Sequence, residues 1–310
     1  MATNICSCAS PMFPNGGDPR CLIEMATIAF IVIVPTLDDT GAVNSIDVSS
    51  PTVGQDIKDR ILATIPVNSR LYPQPRVENA TFDRTDTEYE TLPSGNKAKT
   101  GAGGVRTFAW SLWKKQSSNM YLRELEKLGC TDVSFFIIDQ NGNWWGIKDE
   151  LTSNLLRGYK MDVETFDAYR EYALDNTRQK IMVSFDLDKY ECESNSYVIT
   201  KDELGYDATT LRGNLSGYQT LTALLSTELQ SVVFTGNGTA NDRDDIEGLV
   251  LADFTVYNVT TDSAIVASGV VETVPGSYTI TIPAQTASDV IRVSISASGY
   301  DVADSTVAAL

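Results

Sequence analysis

The sequence predicts a mainly β protein of the α+β class: a β-sandwich or barrel with a flanking helix, followed by a small C-terminal β-sandwich. Three observations carry this expectation. Residues 131–148 read TDVSFFIIDQNGNWWGIK, a β-branched and aromatic run, an Asn141-Gly142 turn and a return strand with two tryptophans, the pattern of a hairpin. Just before it, residues 119–128 (NMYLRELEKL) place Leu122, Leu125 and Leu128 three apart, as one helix face requires, with Gly129 where a C-cap glycine belongs. From about residue 230 the composition changes. Lysine stops after Lys201, Ser, Thr, Val and Ala dominate, and short alternating runs recur at 254–259, 264–270, 277–282 and 290–296. Turn residues such as Pro275-Gly276 separate these runs, as in a small β-sandwich.

The 310 residues suffice for two domains, expected at 1–229 and 230–310. With 24 basic and 41 acidic side chains, the formal charge is −17, which argues against binding nucleic acid by neutralising phosphates. After residue 231 only Arg243 and Arg292 are basic, against ten acidic residues. Histidine is absent, which removes the usual general base and the commonest metal ligand. The expectation is therefore a protein without catalytic residues, metal or cofactor. Cys6, Cys8 and Cys21 lack a close fourth ligand for a metal, and Cys130 and Cys192, beside apolar runs, read as small buried hydrophobes. No signal peptide opens the chain. The most apolar run, residues 22–34, is too short to span a bilayer, so synthesis in a cytoplasm and no membrane partner are expected.

In order along the chain, residues 1–20 read as an irregular arm, 27–34 as a buried strand, Asp38 to Gly41 as a turn, and 55–63 as a helix stopped by Pro66. Pro73 and Pro75 make 67–77 an extended edge. The polar stretch 78–104 is long for a loop, a length usually functional, and reads as a two-stranded arm with its tip at 93–96. Lys97, Lys99 and Arg106 lie near Gly101, Gly103 and Gly104, but without Walker spacing this is simply a loop. Residues 105–113 (VRTFAWSLW) alternate, with Phe108, Trp110 and Leu112 on one face. Residues 159–163 read as a short strand and 166–174 as a helical turn or two, its aromatics Phe166, Tyr169 and Tyr172 spaced three apart. Residues 180–187 are a strand with Ile181, Val183, Phe185 and Leu187 on one side, and 214–229 hold Leu221, Leu224, Leu225 and Leu229 at helical intervals. Asp139, Asp186 and Asp188 are the carboxylates an enzyme would use, read more simply as strand-end charges.

The phrase Tyr89-Glu90-Thr91-Leu92-Pro93-Ser94-Gly95, then Gly104-Val105-Arg106-Thr107-Phe108, together with IIDQNGNWWG, resembles tail-tube and related virion structural proteins of tailed phages. GSYTITIPAQ and VSISASGYD are similar to the immunoglobulin-like modules appended to phage tail and capsid proteins. The resemblance implies a self-assembling homo-oligomer of stacked, typically hexameric rings forming a virion tail tube. DNA would pass through without specific binding, and other tail proteins would be partners. By position the arm 78–104 becomes the ring-stacking element. Phe82, Arg84, Tyr89, Leu92, Lys97, Lys99 and Arg106 are then the candidate inter-ring or inter-subunit contacts, and an acidic lumen would repel phosphate. The alternatives are a capsid-decoration, head-fibre or baseplate protein, or a cell-surface binding protein with an immunoglobulin-like module.

Overall fold

The computed structural model describes residues 24–62, 64–84, 88–100, 105–113, 119–148, 153–173, 178–188, 191, 195–236 and 243–310. The expected arm at 1–20, with Cys6 and Cys8, lies outside the described residues, as do Cys21 and Cys192. Two compact units divide at Gly213/Asn214, the second also taking Leu62–Thr64. The expected boundary at 229/230 is therefore corrected. It would cut a strand, because the leucines read at helical spacing belong to an antiparallel hairpin.

The strands of the first unit are β1 (Ile28–Pro35), β2 (Ser45–Asp47), β3 (Tyr72–Pro73), β4 (Glu78–Arg84), β5 (Glu88–Thr91), β6 (Lys97–Thr100), β7 (Arg106–Trp113), β8 (Val133–Asp139), β9 (Trp144–Ile147), β10 (Leu155–Arg157), β11 (Tyr159–Glu171), β12 (Lys180–Leu187) and β13 (Ser196–Ile199). Its helices are α1 (Val53–Asp59), α2 (Asn119–Glu126) and α3 (Lys201–Leu204). Strands β1 and β8 pair antiparallel in the middle and are buried on both faces, which is why both read as continuous apolar runs. Ile31, Ile33, Val133, Phe135 and Ile137 point into one core, and Phe30, Val32, Val34, Phe136 and Ile138 into a second. Residues of α1 and α3 fill the second core through Val53, Ile57 and Leu204.

The first core is wrapped by the sheet itself. Strand β11 leaves β8 after Tyr159 and Lys160 and continues along β12, with a register shift between Asp162 and Asp167. Then β12 pairs β7, and β7 pairs β4. The backbone before β4 bonds to β1 through Gln74 and Val77, so residues 72–84 carry the sheet from β1 round to β7. The roll encloses Phe108, Trp110, Phe135, Tyr159 and Phe185. Leu125 of α2 packs on the same core, as the leucine spacing predicted.

Other expectations at this level are corrected. Where a helix was expected at 166–174, residues 166–171 form the outer half of β11, and residue 174 lies outside the described residues. Phe166 packs on the core while Tyr169 and Tyr172 are exposed, so the three-residue aromatic spacing marks no buried face. Cys130 is exposed, not buried. Residues 78–84 are not part of the arm but the last strand of the sheet. A bulge at Asn79 (φ +51°) bends it, a common device at edges.

The second unit places two sheets across one core. One comprises β19 (Gly269–Val274), β20 (Ser277–Thr281), β15 (Glu228–Gly236), β14 (Leu215–Leu225) and β22 (Tyr300–Val302), with β16 (Arg243–Asp245) beside β15. The other comprises β18 (Ser263–Ile265), β17 (Phe254–Asn258), β21 (Val290–Ile295) and β23 (Ser305–Ala308). Alternation buries Phe254, Val256, Ile291, Val293 and Ile295 against Leu229, Val233, Tyr278 and Ile280. Gly276 turns the β19–β20 hairpin at φ +70°, as Pro275-Gly276 announced.

Candidate functional site

Strands β5 and β6 form a two-stranded ribbon that pairs with no other strand among the described residues. Its tip turns at Gly95, whose φ of +80° suits glycine, with the Leu92 N–H bonded to the Asn96 carbonyl. Tyr89 is 61% exposed and Leu92 41%. The register pairs Tyr89 with Lys99 and Thr91 with Lys97, and Glu88 with Thr100 and Glu90 with Ala98. Because residues alternate between faces, Tyr89 and Thr91 share one face of the ribbon and Glu90 the other.

The remaining candidate contacts sit elsewhere. Phe82 packs edge-on against Phe108 at 5.5 Å and Tyr159 at 5.9 Å, so it belongs to the rolled core. Arg106 lies over the Phe82 ring at 5.1 Å and donates to the Phe82 carbonyl at 3.0 Å. It clamps the edge strand onto β7. Arg84, opposite Arg106 in the register, is exposed. Of the seven expected contacts, Tyr89, Leu92, Lys97 and Lys99 are therefore gathered on the ribbon, and Phe82, Arg84 and Arg106 lie at its base.

The outward face of β11-β12-β7-β4 has a composition of its own. Inward side chains on β7 and β12 leave Thr107, Ala109, Ser111, Met182, Ser184 and Asp186 on the opposite side. The register adds Thr81 and Asp83 from β4 and Asp167, Tyr169 and Glu171 from β11. Thr107, Ala109 and Ser184 lie there among the carboxylates of Asp83, Asp167, Glu171 and Asp186, together with the larger Met182, Tyr169 and Trp113, while Ser111 is itself buried. Lys180 stands among them, bound to Glu171 at 3.1 Å. Thr107 donates to Asp186 at 2.6 Å. Asp83, Asp167 and Glu171 were not singled out from the sequence. Only the cross-strand register collects them.

The three carboxylates considered for catalysis do not converge. Asp139, fully buried, accepts from the Asn141 and Asn143 N–H groups at 2.9 and 3.0 Å, from Asn143 Nδ2 at 3.1 Å and from Trp145 Nε1 at 3.0 Å. It builds the β8–β9 turn. Asp186 lies on the outward face, and Asp188 is 3.7 Å from Lys160. Among the described residues no cluster of three or more acidic or cysteine side chains is arranged to hold a metal. A crevice between Ile31, Trp110, Leu128, Phe166 and Phe185 is apolar and about 10 Å³, room for one water with nothing to bond it.

Two carboxylates near turns are stabilised in their charged form. Lys201 donates to Asp207 at 2.7 Å, and Thr209 donates through its hydroxyl at 2.6 Å and its N–H at 3.0 Å. Together they pull the Asp207 pKa down to about 2. Asp38 is likewise held below the usual carboxylate range by the Thr40 hydroxyl and the Ala42 and Thr40 N–H groups. Both act on the local chain. No helix among the described residues is long and apolar enough to cross a membrane. No protein-family model matches the chain. No curated protein is similar to it in sequence.

Proposed function

We propose that this chain is a non-enzymatic, self-assembling structural protein of a tailed-phage virion, whose copies stack as rings of a tail tube that conducts DNA. The observation that carries the reading is the β5–β6 ribbon. A two-stranded ribbon is marginal on its own in water, and this one exposes Tyr89 and Leu92 at and near its tip. Such a device is stabilised by docking on another molecule. The outward face of β11-β12-β7-β4 supports the conduit. Asp83, Asp167, Glu171 and Asp186, set among Thr107, Ala109, Ser184 and the larger Met182, Tyr169 and Trp113, give a wall that repels phosphate and offers it few donors. The second unit, with a core of its own, takes the part of an appended immunoglobulin-like module.

Electron microscopy of the purified chain over a concentration series tests this. Hollow tubes with a regular axial repeat are expected, reduced to folded single subunits or single rings when residues 88–100 are deleted. Long tubes from the deletion variant would refute the role of the ribbon. Small closed oligomers from the unaltered chain would favour a capsid-decoration, head-fibre or baseplate protein.

A further inference from the structure

We draw no further inference here: the strongest candidate, the edge strand β19 of the second unit, which exposes Val271 (63%) and Val274 (60%), is an apolar edge for which nothing in the structure shows what covers it.

Discussion

The first unit contains two hairpins of opposite character. The β8–β9 hairpin is buried along its length: Trp144 is inaccessible, Asp139 satisfies the turn, and β1, β10, β11 and β13 pair around it. The β5–β6 ribbon has neither a neighbouring strand nor a cover among the described residues. The same local unit is a structural centre in one place and a free surface in the other. What distinguishes them is the residues beside the turn. Apolar side chains on both faces hold the first inside, whereas residues 89–96 of the second are all exposed.

This contrast can be broken in graded steps. Trp144→Ala empties a fully buried site and is expected to destabilise the first unit by about 3–5 kcal/mol, read as a fall in the denaturant midpoint. Asp139→Ala leaves the Trp145 indole N–H and two backbone N–H groups without their acceptor. A loss of about 2–4 kcal/mol is expected, with the Trp145 fluorescence shifted. Phe82→Ala, at the ribbon's base, should cost about 1–3 kcal/mol because the ring packs on the core. Tyr89→Ala should change stability by less than about 0.5 kcal/mol while weakening assembly. Equal thermal shifts for the last two would erase the proposed line between core and contact. The smallest effect concerns Asp207. Its pKa is depressed to about 2, so its contribution is full above the unfolded value near 3.9 and lost as pH falls through about 2. With a third of the side chain exposed, Asp207→Asn should cost under about 1 kcal/mol at pH 7 and nothing near pH 2.

Much of the fold was legible because several strands carry unambiguous periods. Buried β1 and β8, alternating β7 and β12, the Asn141-Gly142 turn and the ribbon tip all lie where their residues say. The failures share one cause. Phe166 and Tyr169, with Tyr172 just past the strand end, and again Leu221, Leu224 and Leu225, fall at helical spacing by coincidence in or beside long strands interrupted by register shifts. A bulge displaces the period-two pattern, and the eye then finds a period near three. That misreading also hid the domain boundary, since β14 looked like a closing helix of the first domain. For the candidate site, Tyr89 and Leu92 were readable as exposed arm residues. The acidic face was not, because it depends on which strands become neighbours.

One pairing in the second unit bears on how the chain is made. Strand β14 pairs in parallel with β22, Leu215 opposite Tyr300. The strand that begins the unit therefore waits for residues synthesised near its end. Non-local pairing of this kind slows folding, and domains emerge from the ribosome in sequence order. The first unit, complete by Gly213, has its full set of strands while the second is still being translated. The β5–β6 ribbon, as part of the first unit, is therefore in place before the second sandwich closes.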